Sequence, residues 1–422
     1  MKKVLFKNFF SLVSVEIANR VFPLFTLPYL TRVIGATKFG TISFAQAIIW
    51  YFVVLTTYGF NLYAPKVIAE CRDDKEKLSE TFWQIFYSRF LIFIVGAIIF
   101  LFLLFSVEKF KAEFLVFIFS FIYVLGDFLF PIWFFRGVEE MSYIAAVNFL
   151  TKVLYTIFIF IFIRQKEHYI FVPLFFSLSQ VLCSGISIYL IIKRFGLRPV
   201  KFNFIKVKKI LKESFSLFVS TLSISIYTKF HIIFLGFVGG DRYVGYYAAA
   251  EKLFQAWMAI QDKITATVFP RISYIIHTTG REKGMEFIKK TFGVVLILSS
   301  VAFLFTFVFS KPIISLLYGK EFLPAVGVLR IFSLLFVILG IRYVLGSHTM
   351  IPLNMHKEFM SLTLISAIVN LFLSLLLIPK FYHYGSVVSY LLSELSMSIM
   401  MFIVLLSKNI FILPNFSFLK RW

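Results

Sequence analysis

Residues 83–106, WQIFYSRFLIFIVGAIIFLFLLFS, carry a single charged side chain, Arg89. An α-helix rises about 1.5 Å per residue, so roughly 20 apolar residues cross the hydrocarbon core of a bilayer, which is about 30 Å thick. The segment therefore reads as a membrane span. Comparable runs fall at 9–33, 41–63, 114–135, 141–163, 169–192, 213–237, 244–268, 289–310, 325–348, 359–378 and 385–407. Lipid offers the backbone no hydrogen-bonding partner, and repeated runs of this length meet that demand as helices. The sequence predicts an all-α polytopic membrane protein of about twelve transmembrane helices. Composition agrees: 60% of the 422 residues are hydrophobic and 15% charged, whereas soluble proteins are about 25% charged. No gap between runs is long enough for a soluble domain.

The formal charge of +22 does not point to nucleic acid, because no basic domain stands outside the spans. The lysines and arginines lie in the connections instead. Twelve spans put both termini on one face, which holds 25 basic residues against 10 on the other. The positive-inside rule then places both termini in the cytoplasm. Lys2, Lys3 and Lys7 precede an apolar run as in a signal peptide, but Glu16, Asn19 and Arg20 interrupt it and no small-residue cleavage site follows, so it reads as an uncleaved first span. Cys71 and Cys183 are too differently placed for a disulfide framework or a zinc site.

The most basic connection, residues 193–212 (KRFGLRPVKFNFIKVKKILK), divides the chain near its midpoint. Two readings stand beside each other: an amphipathic helix lying on the anionic leaflet, or a docking site for a partner enzyme. The expected organisation is an N-terminal six-helix bundle (1–192), this basic cytoplasmic linker (193–212), a C-terminal six-helix bundle (213–407) and a cytoplasmic tail (408–422). A shift of 205 positions aligns Phe10-Ser11-Leu12 with Phe215-Ser216-Leu217, Gly35 with Gly240, Gly40 with Gly245, Ala45 with Ala250 and Pro65 with Pro270. The spaced Gly and Pro carry most of this signal, since they fix turns and close approaches. Both copies enter the membrane from one face. That describes a parallel six-plus-six repeat about an axis along the membrane normal, a transporter architecture.

An ionised side chain at mid-membrane depth costs about 2.5–3.5 kcal/mol on insertion scales, so it is seated in a wet cavity or paired. Several occur here. Glu16 and Arg20 share one face of the first span. Arg89, Lys152, Asp262, Lys263 and Arg330 lie close enough to span ends for their stems to reach the interface. Arg20 and Lys229 fall near the middle of equivalent spans and are expected to line a central cavity, unless Glu16 merely neutralises Arg20. Asp127, Glu251, Lys252, Arg342 and Glu394 complete the set. Within the spans eight basic side chains face five acidic ones, a balance that suits an anionic substrate. Arginine grips phosphate oxygens with its planar fork and lysine acts as a point charge. Pro23 and Pro28 soften or kink the first span.

Catalytic motifs are missing from the sequence. It has no GxGxxG, P-loop or HExxH, and its six histidines are dispersed without metal spacing. No cofactor is expected.

Residues 23–85, and in particular Pro28, Leu30, Arg32, Gly35, Phe39-Gly40, Gly59 and the charged loop with Arg72, resemble the start of the polysaccharide-biosynthesis membrane proteins. The similarity is to the O-antigen flippase (Wzx-type) branch of the multidrug/oligosaccharidyl-lipid/polysaccharide exporter superfamily, with a MATE-like fold. The resemblance implies a flippase in the bacterial inner membrane. It would move an undecaprenyl-pyrophosphate-linked oligosaccharide, such as a lipopolysaccharide O-antigen or capsule repeat unit, to the outer leaflet by alternating access, alongside polysaccharide polymerase machinery. Arg32 carries over from the motif, and Arg20 and Lys229 by position. With Lys252 and Arg342 they form the expected substrate-binding set, while Glu16, Asp127 and Glu251 would couple a proton or sodium ion. Two alternatives remain open at this point: a drug or metabolite exporter of the same superfamily, and a membrane-embedded glycan polymerase or ligase. On the flippase reading, replacing Arg20 and Lys229 together by alanine abolishes surface polysaccharide while the protein still inserts, as measured by glycan staining beside membrane-fraction immunoblots.

Overall fold

The computed structural model describes residues 2–415, with side chains from residue 22 onward except those of residues 24 and 227. The expected sites Glu16 and Arg20 thus lie outside the described side chains. Thirteen α-helices are described: α1 (Lys2–Thr57), α2 (Phe60–Cys71), α3 (Lys75–Ser106), α4 (Glu108–Ala112), α5 (Phe114–Leu129), α6 (Ile132–Gly137), α7 (Met141–Phe162), α8 (Phe171–Phe195), α9 (Phe204–Val238), α10 (Asp241–Thr279), α11 (Arg281–Tyr318), α12 (Ala325–Leu345) and α13 (His356–Ser407).

Among the described residues, eight helical segments are long and apolar enough to cross a bilayer, or nine if the two halves of α9, bent by 49°, make one span. Two of these helices hold two expected spans each. A non-helical residue interrupts α1 at Gly35 and α13 at Tyr382. The expected span at 244–268 falls on α10, which carries Glu251, Lys252, Asp262 and Lys263. The expected runs thus fall on helical segments, two of them, 41–63 and 114–135, across a break between consecutive helices. Outward faces are apolar, as on α3, where Phe90, Ile94, Ile98 and Phe102 are exposed.

The repeat is visible in the backbone. Gly35 adopts φ 73°, ψ 175° and its counterpart Gly240 adopts φ 85°, ψ 171°, a region essentially closed to side chains. Both sit where one span turns into the next. The halves then diverge. The second span of the C-terminal half continues unbroken through Pro270 to Thr279, whereas its N-terminal counterpart stops at Thr57 and restarts at Phe60. Gly59, at φ 74°, packs so closely on α9 that an added Cβ would stand 2.8 Å from the Leu217 Cβ.

The chain falls into two compact units, Met1–Ile233 and Phe234–Trp422. The division lies inside α9 rather than in the basic connection, because the first part of α9 packs on the N-terminal unit. Tyr58 stacks on Phe218 at 4.6 Å, and Tyr51 donates to the Ser225 carbonyl at 3.3 Å. An aromatic core holds this unit together, with Phe82, Trp133, Phe134 and Phe135 all buried. Its connections after the first, third and fifth spans meet at one end: Lys38 pairs with Glu113 at 3.0 Å, Tyr169 donates to Glu113 at 2.7 Å, and the Lys38 ammonium lies 4.0 Å from the Tyr169 ring centre. In the second unit the halves of α13 are zipped by small polar groups. Asn370 donates to Ser393 Oγ at 2.8 Å, and Ser374 Oγ to Ser389 Oγ at 3.2 Å. Residues 197–203 of the basic connection are not helical; α8 ends at Phe195 and α9 starts at Phe204.

Gly35→Ala and Gly240→Ala are expected to destabilise the protein by similar amounts, about 1–3 kcal/mol each. Thermal unfolding of the two variants in detergent checks this, and strongly unequal losses would argue against equivalent hairpins.

Candidate functional site: a buried ion cluster in each unit

The N-terminal unit holds Arg89, only 2% exposed, against Asp127. Sequence position suggested that Arg89 reaches the interface; the structure buries it instead, where it donates to carbonyls at two helix ends. Arg89 Nη2 lies 3.2 Å from Asp127 Oδ2 and also donates to the Asp127 carbonyl at 3.2 Å. Its Nε donates to the Thr56 carbonyl at 3.5 Å. Thr57 Oγ1 completes the group by donating to Asp127 Oδ2 at 3.4 Å. The last turn of a helix leaves carbonyls without intrahelical partners, and α1 and α5 both end here. At the break before Tyr58-Gly59 Arg89 serves the Thr56 carbonyl, and at the end of α5 it is a second donor to the Asp127 carbonyl, which also accepts from the Phe130 amide at 3.0 Å.

The C-terminal unit places Arg342 of α12 beside Glu394 of α13, with Nε 3.0 Å from Oε2. This contact is close as an ion pair, although its angle is not that of a hydrogen bond. Glu394 is 1% exposed and Arg342 23%. The guanidinium carbon lies 5.1 Å from the Tyr343 ring centre and Nη1 is 3.9 Å from Met397 Sδ. Tyr343 in turn donates to Asp262 Oδ1 at 2.8 Å. Gln261, next to Asp262 on α10, is buried and donates to Ser299 Oγ of α11 at 3.5 Å, and both groups crowd the bare Cα of Gly340. A side chain at 340 would push α12 away from α10 and α11. Buried Glu251, one residue before exposed Lys252, accepts from Gln255 at 3.1 Å.

The expected site residues therefore meet different surroundings. Asp127 and Arg342 each join a partner that sequence reading had not assigned to a site, Arg89 and Glu394. Glu251 is buried, Lys229 is half-buried on α9 just beyond residue 227, and Arg32 and Lys252 are exposed. Arg330 is exposed and donates to Ser310 Oγ at 3.0 Å. Glu394 could have been suspected as the fifth intramembrane acid, but 52 positions separate it from Arg342 and only the fold joins them. Chemically, Arg342 is a partly exposed cation set against a buried carboxylate. Such a fork is pre-organised to grip an oxyanion.

Truncating one member of a buried ion pair leaves an uncompensated charge. Arg89→Met should lower stability by about 3–5 kcal/mol, and adding Asp127→Leu should recover most of that loss. Unfolding of the single and double variants in detergent measures both; an additive double variant would show that the pair does not act as one unit.

Known proteins share this architecture. The chain is 28% identical over 389 residues to a protein of Escherichia coli (strain K12) named "Putative O-antigen transporter", covering 92% of this chain and 93% of that one. A protein of the same name in Shigella dysenteriae is 27% identical over 92% of this chain and 96% of its own length. Among solved structures, the inward closed conformation of the lipid II flippase MurJ matches with a TM-score of 0.70, 15% identity, and coverage of 96% of this chain and 87% of that one. An outward-facing multidrug resistance MATE family transporter of the MOP superfamily matches with a TM-score of 0.51, 15% identity, and coverage of 96% and 95%. These structures share the fold, that of a multi-pass helical membrane protein. The polysaccharide biosynthesis protein family matches residues 5–276, well over half of the sequence, and the chain belongs to that family.

Proposed function

We propose that this protein is a flippase for an undecaprenyl-pyrophosphate-linked oligosaccharide, an O-antigen or capsule repeat unit, which it carries across the bacterial cytoplasmic membrane by alternating access. It is a transporter rather than an enzyme. The observation that carries this reading is Arg342, 23% exposed against the buried carboxylate of Glu394 inside a helical unit. A diphosphate headgroup presents the oxyanions such a fork recognises. Family membership and the names of the relatives support a glycan-lipid cargo, and the fold shared with a lipid II flippase is one suited to moving it. Arg20, Arg32, Lys229 and Lys252 are the further cations assigned to the substrate path.

Transport against a gradient needs a driving ion, and we assign proton or sodium coupling to Glu16, Asp127 and Glu251. Neutralising Asp127 would release Arg89 from its carboxylate partner and loosen the junction of α1, α3 and α5. In this way a local charge change would reach the packing of a whole unit. The basic asymmetry of the connections supports cytoplasmic termini for this cycle.

Deleting the gene in a host of known surface glycan should make the lipid-linked repeat unit accumulate facing the cytoplasm, and the wild-type gene should restore export. Arg342→Ala should restore at most about a tenth of it, with Arg342→Lys intermediate because it keeps charge without the fork. An unchanged surface glycan after deletion, with no accumulated intermediate, would overturn the reading.

A further inference from the structure

The connection between the repeats lies along the start of α3. Ser79 Oγ accepts from the Arg198 amide at 3.2 Å, and Tyr87 donates to the Val200 carbonyl at 2.9 Å. Between them Gln84, 1% exposed, donates to the Lys201 carbonyl at 2.9 Å and accepts from the Asn203 amide at 3.1 Å. Its amide thus satisfies backbone on both sides of Phe202. Beyond the strap, Lys206 pairs with Glu80 and Tyr63 donates to Glu213 at 2.6 Å. Residues 198–203 are held as a rigid strap rather than a loose tether.

Depth along α3 defines what this strap can meet. Its anchors from Ser79 to Tyr87 span about 12 Å of helix rise. They stop one turn before Phe90 and Leu91, where α3 begins to expose large apolar side chains. At this level Phe202 meets the Tyr87 ring edge-on at 5.8 Å. Phe202, Phe204 and Ile205 are 49%, 66% and 79% exposed. Lys201, Lys208, Lys209 and Lys212 are exposed beside them; of the acids within reach, Glu80 pairs with Lys206, and Glu213 accepts from Tyr63 and lies 3.9 Å from the Lys209 ammonium, which leaves the group a net positive charge. Apolar side chains level with the entry of a span, ringed by cations, match the headgroup boundary of a negatively charged leaflet. A protein arriving from water would meet the lysines but not side chains seated at that depth.

We propose that the strap, residues 198–203, and the first turns of α9 as far as Lys212 form a binding site for anionic phospholipids, with Phe204 and Ile205 entering the acyl boundary and the lysines holding the headgroups. Purified full-length chain in mild detergent, given equal phosphatidylglycerol and phosphatidylcholine, should retain phosphatidylglycerol preferentially in native mass spectrometry. Combined Lys201→Gln, Lys208→Gln, Lys209→Gln and Lys212→Gln should reduce that preference by about tenfold or more. These side chains are exposed, so the variant keeps its fold. In a separate variant, Ile205→Cys with Cys71→Ser and Cys183→Ser, a fluorophore at 205 should be quenched by nitroxide lipids in vesicles containing phosphatidylglycerol. Equal retention of the two lipids by the wild type, an unchanged preference in the lysine variant, or quenching at 205 only by a water-soluble agent would each overturn the proposal. None of these readouts depends on transport.

Discussion

A bilayer interior supplies no water to satisfy a polar group, and that constraint governs this structure at every scale. Hydroxyls inside the helices turn back on their own backbone: Thr31 donates to Leu27, Ser88 to Gln84, Ser120 to Val116 and Ser179 to Phe175. Where a helix breaks, the released carbonyls must find another donor. Arg89 meets that need at the ends of α1 and α5, and brings its own countercharge in Asp127. A group that looks like a costly intrusion in the sequence is, in the fold, the partner of a buried carboxylate and of helix-end carbonyls.

The two halves answer the same constraint differently. Matching glycines at 35 and 240 turn the chain between spans with nearly the same backbone angles, so the hairpin geometry is common to both. Only the N-terminal half breaks its second span at Gly59, and there the backbone touches Leu217 of α9. The close approach and the break belong together: Gly59 permits the contact, and Arg89 and Asp127 close the opened helix end. In the C-terminal half α10 continues, and its polar residues are absorbed laterally instead, through Gln261, Asp262 and Tyr343 toward Arg342 and Glu394. One ion pair thus ties helix ends within its unit, while the other keeps a guanidinium partly open beside a buried acid.

Much was legible before any coordinates. Apolar runs of about 20 residues fixed the helices, because lipid leaves a chain of this composition few other ways to satisfy its backbone. Spaced glycines betrayed the repeat, because their conformations exclude side chains. The candidate cations and carboxylates were visible as charges in apolar runs. What local pattern could not supply was partnership. Arg89 read as an interfacial side chain, and nothing in residues 193–212 pointed to Gln84 of α3 as their anchor, because amphipathicity says nothing of a buried glutamine on another helix.

Length, hydropathy and residue type are properties of a single segment meeting its solvent, and so the sequence by itself determined the spans, their doubling and the inventory of buried charge. Which charges neutralise one another depends on helices separated by 38 positions for Arg89 and Asp127 and by 52 for Arg342 and Glu394. Only the tertiary structure decided those pairs, because electrostatic attraction depends on separation in space and on the surrounding dielectric and takes no account of distance along the chain.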